Sequence, residues 1–133
     1  MSHTAVVQDI YGAFGRGDVP AILSHLAPDV EWEYGAGASD VPWLQKRQGH
    51  AGAGQFFATV AATLEIQKFA PKQFFEGQGV VLVLLDLEAR VKATGKPIRE
   101  EDEVHVWYLN AANKVTRFRH RADTQQHVEA CRP

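Results

Sequence analysis

The sequence is poor in cysteine, in excess charge and in long hydrophobic runs. Its only cysteine is Cys131, so an intrachain disulfide and a cluster of cysteine metal ligands are both excluded. The formal net charge is only −2, and the densest basic run, 117–121, is preceded by an acidic run on the previous predicted strand. Nucleic-acid-binding domains carry a concentrated basic surface, so we expect no nucleic-acid partner.

We expect neither a membrane-spanning segment nor a secretory signal in this sequence. The longest apolar run, 80–85, is far too short to cross a bilayer. No lysine or arginine precedes Arg16, whereas a secretory signal starts with positive charge. We therefore expect a cytoplasmic protein with no membrane partner. The 133 residues, 45% of them hydrophobic, fit one globular domain at 1–133.

Apolar residues recur at helical spacing in three segments of the first half of the chain. The first helix is capped by Ser2 or Thr4, and the second is capped by Asp18 and ends at Pro28. The third follows a glycine-rich stretch, 35–54, which we interpret as a long loop or lid. The apolar stripes of the three helices are Val7, Ile10, Tyr11 and Phe14; Val19, Ile22, Leu23 and Leu26; and Phe56, Phe57, Val60 and Leu64.

Period-two alternation predicts one strand before the third helix and four strands after it. In the early strand, Trp32 and Tyr34 alternate with Glu31 and Glu33, so the aromatic side chains should point inward and the glutamates outward. The later strands, joined by short turns typical of an antiparallel meander, are predicted at 67–75, 80–93, 98–109 and 114–122. This order predicts an α+β domain whose strongly curved antiparallel sheet wraps around three N-terminal helices.

The last two predicted strands place ionisable groups among aromatic rings. Strand parity puts six such side chains on one face: Glu101, Glu103, His105, Trp107, Phe118 and His120. A face of imidazoles, carboxylates and aromatic rings suits the wall of a pocket better than a dry core or an open surface. We therefore place the functional site on this face.

Several short motifs follow one another in a recognisable order. They are "LAPDVEW", "GHAGAGQFF", "ATGKP" and "HVWYLNAANKVTRFRHRADT". In this order they resemble SnoaL-like polyketide cyclases and ketosteroid isomerase-related proteins, members of the nuclear-transport-factor-two-like superfamily. The resemblance implies a cone-shaped sheet of the cystatin-like α+β barrel type and a pocket between its concave face and the helices. It also implies a homodimer formed through the sheet.

The resemblance does not extend to the catalytic groups of ketosteroid isomerase. An overlay puts Tyr34 where that enzyme has its proton-shuttling carboxylate, and Ile10 near its oxyanion-hole tyrosine. His105 stands in place of its oxyanion-hole carboxylic acid. Because none of the three matches in chemical type, we do not expect steroid isomerisation by that mechanism. The same overlay turns both Trp32 and His120, among others, toward the pocket.

The hypothesis that follows is a cofactor-independent enzyme that isomerises, cyclises or dehydrates a small, apolar, carbonyl-bearing ligand by proton transfer. His105 would be the acid or base, with His120 or Tyr34 as its hydrogen-bond partner and Glu103 orienting it. The other residues expected to bind the substrate are Trp32, Trp107, Phe118, Phe14, Trp43 and Phe56.

Two alternatives use the same fold without catalysis. One is a non-catalytic protein that binds an apolar small molecule in the pocket, and the other is a protein-interaction domain that uses the outer face of the sheet. A metal site of His105, His120 and Glu103 is not expected, because their spacing matches no recognised ligand motif. His127 is expected to be an exposed helix residue.

Overall fold

Helices and a curved sheet enclose a single buried cluster in the structure, a computed structural model that describes residues 1–33 and 39–133. Ser2 caps the first helix by accepting the N–H of Ala5, and Asp18 caps the second by accepting the N–H of Ala21. Both predicted caps are confirmed. The helices are α1 (His3–Gly15), α2 (Val19–Ser24), α3 (Gly49–Thr63) and α4 (Thr124–Cys131).

The strands form one sheet whose order in space is β2-β1-β6-β5-β4-β3. The last four strands are a meander, as predicted, whereas β1 runs parallel to β6. Bulges in the β3–β4 and β4–β5 pairs increase the twist, and the sheet curves around the helices without closing. The strands are β1 (Leu26–Trp32), β2 (Arg47–Gln48), β3 (Leu64–Gly77), β4 (Val80–Val91), β5 (Pro97–Leu109) and β6 (Val115–Arg121).

The sheet supplies the larger part of the buried core, and α1 and α3 supply most of the remainder. Alternate residues of β4 are buried from Val81 to Val91, in agreement with the predicted alternation. The predicted α+β architecture, with three helices inside a curved sheet, is therefore confirmed.

Residues 35–38 of the glycine-rich stretch lie outside the described residues, and the predicted loop is wrong for its second part, because β2 occupies Arg47–Gln48 and helix α3 begins at Gly49. A Cβ on Gly52 would lie 3.1 Å from the Cβ of Arg47, so this glycine lets the helix start pack closely against β2. Leu26, predicted in the second helix, lies instead in β1. Helix α4 was not predicted, since its segment has few apolar residues. Among the described residues, no helix is both long and apolar enough to cross a membrane.

Candidate functional site

A cavity of about 70 Å³ lies between the concave face of the sheet and the helices. Its walls are mostly aromatic, and its polar atoms are concentrated on the β5–β6 hairpin and on α4. The aromatic and ionisable residues that border it are Tyr11, Phe14, Trp32, Trp43, Phe56, Phe57, Phe69, Glu103, His105, Trp107, Phe118, His120 and His127.

The register of the β5–β6 hairpin brings the predicted residues together. His105 pairs with His120, and Trp107 pairs with Phe118, so the four side chains share the concave face. The ring of Trp32, on the neighbouring strand, lies 4.3 Å from that of Phe118. This part of the parity argument is confirmed.

Glu101 was wrongly placed on this face, where the structure has Glu100 instead. Asp102 takes a left-handed backbone conformation, with φ of 61°, at a bulge between β4 and β5. The bulge shifts the side-chain alternation by one residue, so Glu100 and Glu103 are both buried while Glu101 is exposed. The carboxylate of Asp86 holds the bulge by accepting the N–H of Asp102 at 3.2 Å.

Tyr11, which was not predicted to belong to the site, links a chain of four side chains: Trp107, Tyr11, His105 and Glu103. The indole Nε1–H of Trp107 donates to the Tyr11 hydroxyl at 3.0 Å, and this hydroxyl lies 2.6 Å from Nδ1 of His105. Nε2 of His105 lies 3.3 Å from Oε2 of Glu103, although the two atoms are not aligned for a hydrogen bond. Because the indole is only a donor, the phenolic proton is available to His105 Nδ1, which places the imidazole proton on Nε2.

His120 is held by Glu33, a second residue missed by sequence reasoning. The backbone N–H of His120 donates to Oε1 of Glu33 at 2.9 Å, and the same oxygen accepts a short hydrogen bond from His120 Nδ1. Glu33 was expected to point outward, yet it is only 4% exposed. Strand β1 ends at Trp32, and the left-handed backbone of Glu33, with φ of 57°, turns its side chain inward.

The pKa values of the two pocket histidines move in opposite directions. Burial lowers the pKa of His105 below its ordinary value of 6.5, and the nearby His120 lowers it further against the opposing effect of Glu103. Burial is the largest single influence on His120 and would lower its pKa, but the carboxylates of Glu33, Glu103 and Glu100 together outweigh burial and raise the pKa, with Glu33 the strongest of the three. Burial raises the pKa of the Tyr11 hydroxyl, so Tyr11 stays neutral. A proton acceptor and a proton donor therefore face the same cavity.

Glu103 remains a carboxylate beside these imidazoles. Burial by itself would raise its pKa, but the interactions with His105 and with the charge of His120 lower the pKa below its ordinary value. The negative charge of Glu103 is therefore available to balance a proton on His105.

A third histidine lies at the end of the cavity next to α4. His127 was expected to be exposed, but it is 2% exposed, because α4 packs this residue against the sheet. The indole Nε1–H of Trp43 donates to its Nδ1 at 2.9 Å. Its Nε2 lies 3.4 Å from Oε2 of Glu100, and neither of these atoms has a hydrogen-bond partner.

All predicted pocket residues except one can be located. Tyr34 lies outside the described residues. The remaining nine border the cavity: His105, His120, Trp32, Trp107, Phe118, Phe14, Trp43, Phe56 and Glu103. Their catalytic and binding roles stay predictions.

Two groups of side chains come close enough to surround a metal ion. Glu103, His105 and His120 form one group, and Glu100, Glu103 and His127 form the other, with their ligand atoms within 4.8 Å of one another. However, the indole donor on Nδ1 of His127 places a proton on Nε2 of that ring, and a Tyr11 hydroxyl that donates to Nδ1 of His105 does the same there. A metal ligand needs a free lone pair at that nitrogen, so the present hydrogen bonding does not suit a metal.

Comparison with known proteins assigns the fold to a family. A family model described as a SnoaL-like domain matches residues 7–118. The chain belongs to the SnoaL-like domain family. No curated protein matches the sequence significantly.

Solved structures of other proteins share the complete SnoaL-like fold. An NTF2-like protein of unknown function from Burkholderia pseudomallei is 27% identical, with a TM-score of 0.86 and all of both chains covered. TerC, crystallised with polyporic acid, is 29% identical, with a TM-score of 0.75 and 96% of each chain covered.

A third structure shows the fold alone at lower identity. Rv0760c from Mycobacterium tuberculosis, in complex with estradiol-17β-hemisuccinate, is 22% identical with a TM-score of 0.63, and the match covers 89% of this chain and 91% of that one. Small molecules were therefore crystallised with two proteins of this fold.

Proposed function

We propose that the protein is a cofactor-independent enzyme that transfers protons within a small, apolar, carbonyl-bearing ligand, as an isomerase, cyclase or dehydratase does. One observation carries the proposal: His105 and His120 face one cavity with pKa values shifted in opposite directions. Paired acid and base groups of this kind are typical of proton-transfer sites.

In this proposal His120 is the proton donor. Glu33 keeps the imidazole protonated and fixes its orientation through Nδ1, which leaves Nε2–H for the ligand. A carbonyl oxygen that accepts this hydrogen bond becomes polarised, and the adjacent C–H becomes more acidic. A departing hydroxyl would receive the same proton in a dehydration.

His105 is the proton acceptor, and the proton reaches it through Tyr11. The ligand's proton passes to the Tyr11 oxygen while the phenolic proton moves to Nδ1 of His105, which lies 2.6 Å from that oxygen. The resulting imidazolium is balanced by Glu103, whose Oε2 lies 3.3 Å from Nε2. Return of the proton to a different ligand atom completes an isomerisation and restores the starting state.

The size and lining of the cavity support a small, apolar ligand. Its volume of about 70 Å³ is below the roughly 150 Å³ of an engineered apolar cavity that admits benzene. Entry of a one-ring compound therefore requires the lining aromatic rings to rotate outward. TerC and Rv0760c, which share this fold and were crystallised with small molecules, support a small-molecule ligand for this protein.

The test is hydrogen exchange at carbon next to a carbonyl. Cyclohexanone and acetophenone are incubated with the protein in D2O, and deuterium at the α-carbon is followed by NMR. We expect the protein to accelerate exchange, His105→Ala to abolish the acceleration, and His25→Ala, outside the cavity, to preserve it. Exchange that survives His105→Ala in a folded variant would contradict the assignment. Binding without exchange by the unaltered protein would instead indicate the non-catalytic binding protein.

We also propose that the protein forms a homodimer through the convex face of its sheet. Leu82 is 39% exposed there, and its paired neighbours Phe75 and Val106 lie on the same face. Phe75 is 53% exposed, which is unusual for a phenylalanine that has no partner to cover it.

A further inference from the structure

The wall of the cavity comes closest to the surface where α1 packs against β3. Among the described residues that border the cavity, five are half-buried, and four of these lie at this contact: Tyr11, Phe14, Ile66 and Phe69. The fifth is His120. Because β3 is the last strand of an unclosed sheet, side chains of α1 cover the cavity here in place of a further strand. A ligand would therefore cross the thinnest wall between α1 and β3.

A surface cleft of about 280 Å³ meets the cavity at Phe14. This α3 cleft is bordered by Val19 and Ile22 of α2 and by Phe57 and Val60 of α3, and every residue that borders it is apolar or glycine. Phe14, Phe57 and Val60 also border the cavity, so a few side chains separate two apolar spaces. The cavity alone, at about 70 Å³, is smaller than the roughly 150 Å³ apolar cavity that admits benzene, but the two spaces together exceed it.

A second cleft, of about 330 Å³, gives the ring of Phe14 a place to turn. This β3 cleft is bordered by Phe14 itself, by Gly15 at the end of α1, and by Phe69 and Pro71 of β3. Beyond its chain neighbours and its own helix, a Cβ on Gly15 would have no atom within 4 Å, so the space beside Phe14 is open. Rotation of the Phe14 side chain to another staggered rotamer would move its ring out of the wall.

We propose that Phe14 is the gate of the cavity and determines the size of ligand that the cavity accepts. When its ring turns into the β3 cleft, the cavity and the α3 cleft become one apolar space. The carbonyl-bearing ring of the ligand then occupies the cavity, and a second fused ring lies in the α3 cleft. The inference rests on the proposed function only for the carbonyl, and it narrows the ligand class to compounds with two fused apolar rings.

Benzene and naphthalene test the gate because they differ by one fused ring and carry no carbonyl. Their association rates are measured by NMR exchange spectroscopy. If the open rotamer of Phe14 is populated to about 10% or less, the gate reduces the association rate by that fraction. We therefore expect Phe14→Ala to speed association of both probes about tenfold or more. Gly15→Leu fills the β3 cleft and lowers the open fraction, so it should slow association about tenfold.

Phe74→Ala is the matched control for the truncation of Phe14. Phe74 also packs between β3 and α1, with its ring 6.1 Å from that of Tyr11, but it borders neither the cavity nor either cleft. Its truncation loosens the same contact without opening a route, so both probes should associate as fast as with the unaltered protein. Equal acceleration in Phe74→Ala and Phe14→Ala would overturn the gate.

Contacts in the bound state test the position of the second ring. In protein with ¹³C-labelled methyl groups, bound naphthalene should give nuclear Overhauser effects to Val19 and Ile22, which border the α3 cleft but not the cavity, and benzene should not. Naphthalene that contacts neither residue, or association rates unchanged in both Phe14→Ala and Gly15→Leu, would overturn the inference. Because neither probe has a carbonyl, such a result leaves the deuterium-exchange test of the proposed enzyme intact, and failure of that exchange leaves the gate intact.

Discussion

The two faces of the β5–β6 hairpin have opposite chemistry, although they alternate along the same strands. The concave face buries His105 and Glu103 beside His120 in an apolar cavity. The convex face leaves Val104 and Val106 of β5 partly exposed, and each pairs there with an arginine of β6, Arg121 and Arg119 respectively. Ionisable groups are thus buried inside where desolvation is costly, and the valines of β5 remain outside where water reaches them. Neither the buried ionisable groups nor the exposed apolar groups stabilise an isolated monomer. We therefore explain the concave face by proton transfer in the cavity and the convex face by association with a second copy of the chain.

The largest expected effect is a difference in deuterium-exchange rate between two tyrosine variants, one on each side of the sheet. Tyr11→Phe removes only the hydroxyl that links the ligand to His105, and we expect deuterium exchange to slow about 10²-fold or more. Tyr108→Phe makes the same chemical change on the convex face and should leave the exchange rate unchanged. Equal rates for the two variants would show that Tyr11 is not on the proton path.

Stability should differ between the faces as well. Phe118 is 2% exposed, and its ring lies 4.3 Å from those of both Trp32 and Trp107. We expect Phe118→Ala to lower the free energy of unfolding by about 3–5 kcal/mol. Phe75→Ala on the convex face should change it by less than about 0.5 kcal/mol in dilute protein. Urea denaturation measures both, and a similar loss for the two variants would mean that the convex face is also packed.

The pH dependence of deuterium exchange tests the roles of the two histidines on the concave face, and Glu33→Gln is the variant that should change it. His120 must be protonated, so exchange should be lost as pH rises through its raised pKa, above 6.5. His105 must be neutral, so exchange should be lost as pH falls through its lowered pKa, below 6.5. Glu33→Gln removes the carboxylate charge that raises the pKa of His120, so the alkaline limb should move to lower pH.

Glu31→Gln is the matched control for this measurement. Glu31 lies two residues away on the same segment and pairs with Arg117 outside the cavity, at 2.7 Å. Its replacement should leave both limbs of the pH profile in place. An alkaline limb that stays fixed in Glu33→Gln would remove His120 as the proton donor.

Sequence periodicity predicted the fold and most of the cavity wall because both follow from regular alternation. It failed where the backbone leaves that alternation. Glu33 and Asp102 adopt left-handed conformations that residues other than glycine rarely take, and no residue type marks them in advance. The first turns Glu33 toward His120 of the site, and the second buries Glu100 in place of Glu101.

Two further misses had other causes. Tyr11 was counted in the apolar stripe of the first helix, and the overlay on ketosteroid isomerase pointed to Ile10, one residue away. Tyr11 could have been identified because its hydroxyl lies on a helix stripe that was predicted to face the sheet wall with His105 and His120. His127 was missed because α4 has little apolar character of its own, and only its packing against the sheet buries the histidine. Sequence alone therefore predicted the wall of the cavity better than the polar groups that hold its histidines.

A substitution on the convex face should change the oligomeric state while affecting the fold least. Leu82→Lys adds a charge to the centre of the exposed apolar surface, where Leu82 pairs with Phe75 on one side and Val106 on the other. We expect the unaltered protein to sediment as a dimer and Leu82→Lys as a folded monomer, because burying an unpaired ammonium group at an interface is costly. Gln67→Lys, exposed elsewhere on β3, should remain dimeric. A monomeric unaltered protein, or a Leu82→Lys variant that still dimerises, would mean that the apolar convex face is not the interface.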